Sequence, residues 1–419
     1  MNTVIATVKP SRAADAIRKG DLGIALFQAG GEKFAGIGHT VPQASRARLP
    51  APPSIRAWDF LTFALAVFAT DRFILRRNAA DGWTRQIRLQ LDLVDPRPWQ
   101  RLAESVGGML RFLTGDIWSV EFHDGGRRPP DWHPKLTDRD CVCLFSGGLD
   151  SFIGAADLMQ AGRQPLLASQ ASIKEASTQE YLARTLGLDQ IRFAANALER
   201  HASPYEPSSR SRSILFLGYG ITAASTLHQS KKPIDLYLPE NGLISINPPF
   251  QRRRLGSLST RTTHTHFINE LQRLLNDLDL RVQLINPYRW STKGEMLENC
   301  KSDVVRKFAH ASYSCGKGKR LNQHCGKCVP CIIRRAAFVK AKLLDKTAYH
   351  IDDLGSQAHN DDVFSARMTV AQLDSRNINR WVSESGPLPD NSQERAQYVD
   401  VVRRGIEELK AFLGQFQWQ

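Results

Sequence analysis

The spacing of apolar residues changes character near residue 140. Before that point short apolar runs are set among polar ones. Gly23 to Phe27 and Phe34 to Gly38 are separated by Gly30-Gly31, a pattern that predicts a hairpin. Trp58 to Ala69 suits a buried helix. Arg72 to Arg76 and Gln86 to Leu93 read as strands, the second with Ile87, Leu89, Leu91 and Leu93 alternating onto one face. Pro98 to Leu113 has the period of an amphipathic helix, and Ile117 to Phe122 that of a strand. Residues 1–134 therefore predict a separate N-terminal α+β domain, closed by the turn-rich stretch Gly125 to Pro134.

From Asp140 the alternation is strand, helix, strand, helix. Cys141 to Phe145 is continuously apolar, as in a strand buried on both faces. Further strands are predicted at Pro165 to Ala168, Ile191 to Ala194, Ile234 to Leu238 and Val282 to Ile285. The helices between them are Ser151 to Met159, Glu180 to Leu186, Arg212 to Leu227 and His266 to Leu278. This order predicts an α/β, doubly wound, mainly parallel sheet over residues 135–345, with ligands at the carboxyl ends of its strands. Residues 346–419 read as a helical extension in which Val402, Ile406, Leu409 and Leu413 form one apolar face.

Composition narrows the classes. The 419 residues are 42% hydrophobic, enough for a large core, and the chain reads as soluble and cytoplasmic. The longest apolar run, Phe60 to Phe68, falls far short of the ~20 residues a membrane span needs. A net charge of +14 raises the question of nucleic acid. Its basic residues, however, are scattered in small groups such as Lys231-Lys232, Arg252 to Arg254 and Arg334-Arg335, which equally suit a solvated surface with pockets for phosphates. Four of the seven cysteines, Cys315, Cys325, Cys328 and Cys331, fall in one window. Their spacing points to a closed four-thiolate zinc site, with an iron–sulfur cluster as the alternative. Cys141 and Cys143 read as core thiols.

The strongest chemical signal is Ser146-Gly147-Gly148-Leu149-Asp150-Ser151, between the strand that ends at Phe145 and a helix. Glycines let the backbone approach an oxyanion, and the helix start contributes N–H groups and positive potential. Asp150 cannot bind phosphate directly; it either holds magnesium or orients the loop. No Gly-Lys-Ser/Thr loop of the Walker type is present. The hexapeptide resembles the signature of the PP-loop ATP pyrophosphatases. That resemblance implies an adenine nucleotide alpha hydrolase-like fold that binds ATP with magnesium and grips the pyrophosphate released on adenylation.

Followed by Cys315, Cys325-Gly-Lys-Cys328-x-x-Cys331 and a basic helix, the chain resembles the QueC family of 7-cyano-7-deazaguanine synthases. Ser211 to Leu217 and Thr292 to Met296 match further segments of that family. With its added flanking regions, the chain is most similar to QatC, the QueC-like component of Qat anti-phage defence systems. The resemblance covers about Asp140 to Leu344. It implies adenylation of 7-carboxy-7-deazaguanine and transfer to nitrogen, in the defence relatives to an amine of a partner protein. Release of free nitrile, tRNA modification and a non-catalytic nucleotide-binding subunit are the alternatives. The residues expected to act are Asp150, Lys293 and Arg212, with ATP on Phe145 to Ser151, and Glu240 and Asn241 as candidates for the base. His264 and His266 read as structural.

Overall fold

A computed structural model describes residues 1–171, 175–198, 205–207, 210–227, 232–250, 261–317 and 323–418. The basic residues at Lys231 and Arg252 to Arg254 lie outside the described residues. Two five-stranded sheets, parallel throughout, carry the chain. The first contains β1 (Asn2–Thr7), β2 (Leu22–Leu26), β3 (Ala35–Ile37), β4 (Gln86–Leu93) and β5 (Ile117–Asp124), in the order β3-β2-β1-β4-β5. The second contains β6 (Cys141–Leu144), β7 (Pro165–Gln170), β8 (Gln190–Phe193), β9 (Ile234–Tyr237) and β10 (Val282–Ile285), in the order β10-β9-β6-β7-β8. Counted from its own first strand, each sheet has the order 3-2-1-4-5, so the two units share one doubly wound topology.

The first unit departs from the sequence reading in three ways. Gly23 to Phe27 and Phe34 to Gly38 do not form a hairpin: β2 and β3 run parallel, Ile24 beside Ala35 and Leu26 beside Ile37. The far edge of β3 is satisfied by the second unit, where Gly36 and Leu198 exchange N–H···O bonds of 2.7 and 2.8 Å. Secondly, the sheet is α/β rather than α+β. The alternation in β4 arises because one face of β4 and β5 is partly wet, where Arg88 and Gln90 donate to Glu121 at 2.6 and 3.1 Å. Thirdly, Arg72 closes a helix and Arg76–Asn78 is a 3-10 turn, not a strand.

The neighbours of the Ile55–Phe73 helix explain why its middle is so apolar. It lies against the first sheet on one side and the Arg212–Ala224 helix on the other. A Cβ on Gly218 would stand 3.0 Å from the Cβ of Ala64, tighter than side chains normally pack, so glycine there favours the close crossing of the two helices. One apolar cluster runs from Val4 and Ile24 through Phe60 and Phe63 to Leu215, Tyr219 and Leu236. The two sheets thus share a core. At the other end, the helices Asp361–Ala371, Ile378–Ser383 and Ser392–Leu413 pack Val363, Trp381 and Ile406 onto Leu243 and Ile332. No described helix is long and apolar enough to cross a membrane.

Candidate active site

In the second sheet the strand order reverses between β6 and β9, and the candidate residues gather at the carboxyl ends of those two strands. The turn after β6 is forced by Gly147, whose φ of +79° a side chain rarely adopts. Gly148 then caps the Leu149–Gln160 helix. Local hydrogen bonds fix the loop. Gly148 N–H donates to Ser146 Oγ at 3.2 Å, Ser151 Oγ donates to Gly148 O at 3.0 Å, and the two serine hydroxyls lie 3.2 Å apart. Neighbouring elements hold it from outside. Gln179 Nε2 donates to Ser146 O at 3.2 Å and Tyr313 N–H to Gly147 O at 2.8 Å.

Asp150 and Lys293 are both almost completely buried and form an ion pair. Asn241 adds its side-chain amide to Asp150 Oδ2 at 2.7 Å and its backbone N–H at 3.2 Å. Burial works against the Asp150 charge, but Lys293 and these donors outweigh it and hold the carboxyl below its usual range. Glu240, beside them, goes the other way: burial first and the Asp150 charge second push it well above the usual carboxylate range. The two adjacent carboxyls are thus shifted in opposite directions. Asp150 spends both oxygens on Lys293 and Asn241, contacts that orient the loop.

The Lys293–Asn299 helix begins in a capping box, with Thr292 accepting from Glu295 N–H at 3.1 Å and Glu295 accepting from Thr292 N–H at 2.9 Å. A carboxylate from the last helix reinforces this start. Glu408 accepts from the Thr292 hydroxyl and from Gly294 N–H, on either side of Lys293.

A cavity of about 530 Å³ opens beside the loop, within the range of small-molecule sites. Ser146, Ser151, Gln179, Arg212, Glu240 and Tyr313 are among its walls. Arg212 is partly exposed and donates to Glu175 at 2.5 Å and to Gln170 at 3.4 Å. Asp150 and Lys293 line an adjoining recess with Ser146 and Glu240. Asn241 stands behind Asp150 as its hydrogen-bond partner, and its side chain also caps the Gly242–Ile246 helix through Ile244 N–H. Phe145 and Leu149 lie in the core beneath the loop. His264 caps the Thr265–Asp277 helix by accepting from His266 N–H at 3.2 Å, and both rings pack on Phe112.

Cys315, Cys325, Cys328 and Cys331 converge, their sulfurs all within 4.8 Å of one another. The Cys315–Cys328 and Cys325–Cys331 separations are 3.8 and 3.9 Å. A tetrahedral metal with bonds of ~2.3 Å requires sulfurs about 3.8 Å apart, so the donor set fits such an ion. Backbone N–H groups of Cys325 and Cys328 donate to Cys315 and Cys325 sulfur at 3.3 Å, as suits thiolates. The cluster adjoins the cavity through Tyr313, Ser314, Cys315 and Gly316.

Sequence reading missed Gln179, Tyr313, Arg210 and Glu408. The first two act through backbone partners that no motif marks. Arg210 sits two places before Arg212, and its repeat in Ser-Arg-Ser-Arg was the one available signal.

Part of this arrangement matches known proteins. The family model described as "QueC: Queuosine biosynthesis protein QueC" matches residues 262–342. Two curated relatives are each described as 7-cyano-7-deazaguanine synthase. The one from Paracoccus denitrificans (strain Pd 1222) is 34% identical over 99 residues, 23% of this chain and 40% of the relative. The one from Rhizobium leguminosarum bv. trifolii (strain WSM2304) is 37% identical over 95 residues, 22% of this chain and 39% of the relative. The chain thus spans about two-fifths of the length of these relatives. No solved structure gives a significant match. The family-model match covers the region that carries Lys293 and the four cysteines and does not extend to the Ser146–Ser151 loop.

Proposed function

We propose that this cavity binds ATP with its phosphates on the Ser146–Ser151 loop, in the manner of PP-loop enzymes, and adenylates the carboxylate of a 7-deazaguanine acid. The observation that carries this reading is the glycine-rich loop at the strand-order reversal, next to a buried lysine and a four-cysteine cluster within a QueC-matching segment. In the reaction a carboxylate oxygen attacks the α-phosphorus. The bond to the bridging oxygen breaks, and pyrophosphate leaves into the loop, where N–H groups and serine hydroxyls receive its charge. Lys293, paired with Asp150, supplies positive charge at the same place. Nitrogen then attacks the acyl carbon and displaces AMP. Magnesium arriving with ATP would neutralise phosphate charge.

Glu240, its carboxyl shifted toward the protonated form by burial and by Asp150, lies adjacent to the loop and suits hydrogen bonding to a purine-like edge, with Arg212 on the nucleotide side. Zinc is the ion we assign to Cys315, Cys325, Cys328 and Cys331, where it would stabilise the wall beside the loop. As in QatC-type relatives, the nitrogen acceptor is an amine of a partner protein in anti-phage defence, docked against residues 1–134. The whole would act in the cytoplasm. A free nitrile synthase is the second reading, carried by the curated relatives' names.

The test is pyrophosphate release from ATP with 7-carboxy-7-deazaguanine compared with tRNA, followed by mass analysis of the products. Release with the acid alone is expected. Release with tRNA alone would overturn the substrate assignment. Free nitrile formed from ammonia at full rate, with no labelled protein, would select the second reading.

A further inference from the structure

The cavity has a second cationic end. Arg210 and Thr263 line it but do not reach the recess where Asp150 and Lys293 meet the loop. Ser146, Glu240 and Tyr313 border both, so the two cationic ends flank the same stretch of wall. Arg210 is only 8% exposed. Both it and Arg261 are anchored by the carboxyl end of the Ala103–Thr114 helix. Arg210 Nη1 donates to Thr114 O at 3.4 Å and Arg261 Nη1 to Phe112 O at 3.0 Å. Helix-terminal carbonyls carry partial negative charge and orient guanidinium groups without neutralising them.

The nearby carboxylates are committed elsewhere. Asp116 accepts from the side chains of Arg76 and Arg85. Asp71 accepts from Arg85, and its other oxygen takes the backbone N–H groups of Arg210 and Ser211. Arg210 Nη2 and Thr263 Oγ1 are buried without a hydrogen-bond partner among the described residues. Burial, with the positive charge of Arg76 and Arg261, lowers Arg210 to about 10, as expected of a cation short of counter-charge. A buried donor left unpaired costs about 1–3 kcal/mol, and more when charged. Both residues border the cavity, so turning either side chain toward it would pair its free group with an oxyanion there.

We propose that Arg210, supported by Arg261 and Thr263, binds the carboxylate of the acid to be activated, at a subsite separate from the phosphate loop. The inference rests on the acid-activating reading above. A guanidinium matches a carboxylate by paired hydrogen bonds, whereas the nucleotide phosphates are served by the loop and Lys293.

The test uses the full-length chain saturated with magnesium and a non-hydrolysable ATP analogue. Inorganic phosphate should raise its melting temperature, and should not do so in Arg210→Gln or Thr263→Val. Affinity for 7-carboxy-7-deazaguanine should fall about tenfold or more in Arg210→Gln, the loss expected for one charged hydrogen bond. Affinity for the corresponding nitrile and for the ATP analogue should stay within about twofold. Thr263→Val, which barely alters volume, keeps the test open if Arg210→Gln fails to fold. If phosphate stabilises the parent but not the variants while the acid does not bind, the subsite stands and the substrate reading falls. If phosphate acts equally on parent and variants, or on neither, or if the ATP analogue alone is weakened, the subsite is refuted.

Discussion

Lys293 and Asp150 stand 143 positions apart in the chain and meet in the fold as a buried ion pair. Each was legible in sequence as a polar residue in a chemical motif, but their pairing depends on how β6 and the Lys293 helix are brought together. That pairing changes the expected effect of mutation. As a loop residue Asp150 would be dispensable to folding. As the partner of a buried lysine it is not, because its loss strands a charge at a cost of about 3–5 kcal/mol. Asp150→Ala should therefore lose pyrophosphate release and also stability of that order, read from the denaturant midpoint. Adding Lys293→Met should restore much of the stability and none of the activity. If the double variant is no more stable than Asp150→Ala, the pair is not what holds these residues.

At the scale of elements, the strands and helices after Asp140 were legible because a buried parallel sheet writes continuous apolar runs separated by amphipathic helices. The first sheet was not, since a half-wet face on β4 imitates an antiparallel strand and Gly30-Gly31 imitates a hairpin. The last helix was legible as an apolar face, but its chemical contribution was not: Glu408 is one acidic residue among several. In the structure it braces the start of the helix that carries Lys293. Burial, with Glu295 nearby and only partly offset by its hydrogen bonds and Lys340, raises Glu408 to about 7. A carboxyl whose folded value is raised favours the folded state while protonated. Its contribution is complete below about pH 4.5 and disappears as pH rises through about 7, a span worth about 3 kcal/mol. Glu408→Gln should flatten the stability profile across that window, measured by thermal unfolding from pH 5 to 8. Equal slopes in parent and variant would refute the assignment.

The cysteine cluster belongs to the same scale, because it fixes the start of the Val329–Lys340 helix and the Tyr313–Gly316 wall of the cavity. Tyr313 N–H in turn holds Gly147 O. Metal loss should therefore reach the glycine-rich loop. Elemental analysis should find about one zinc per chain. Cys328→Ser, or chelation, should lower stability because metal-binding energy is folding energy at such sites, and should weaken ATP binding as well. Iron in place of zinc at full occupancy would refute the choice of metal. Unchanged ATP affinity in a metal-free, folded protein would refute the coupling.

For the molecule as a whole, the two sheets repeat one strand order, and equivalent crossover helices, Ile55–Phe73 and Arg212–Ala224, pack against each other. Only the second unit has the glycine-rich loop after its first strand; the first has Thr7-Val8-Lys9-Pro10 there, with Thr7 donating to Asp92 at 2.5 Å. The chain thus joins a loop-bearing unit to a companion of the same topology, and the companion should be structurally obligatory. It lays the Ile55–Phe73 helix along the apolar Arg212–Ala224 helix, with Leu61 and Ala64 against Gly218, and Asp71 caps the segment that delivers Arg210 and Arg212 to the cavity. Uncovering a large apolar side chain costs about 1.5–3 kcal/mol, so several together match the whole stability of a domain, about 5–15 kcal/mol. Residues 135–419 expressed alone should therefore fail to give a soluble, cooperatively melting protein with ATP-analogue affinity, even though they contain the glycine-rich loop and all four clustered cysteines. Co-expression with residues 1–134 as a separate chain should restore both, since no covalent link is needed to cover the helix. A truncated protein that melts cooperatively and binds the analogue as the full chain does would show that the companion serves only as an external surface.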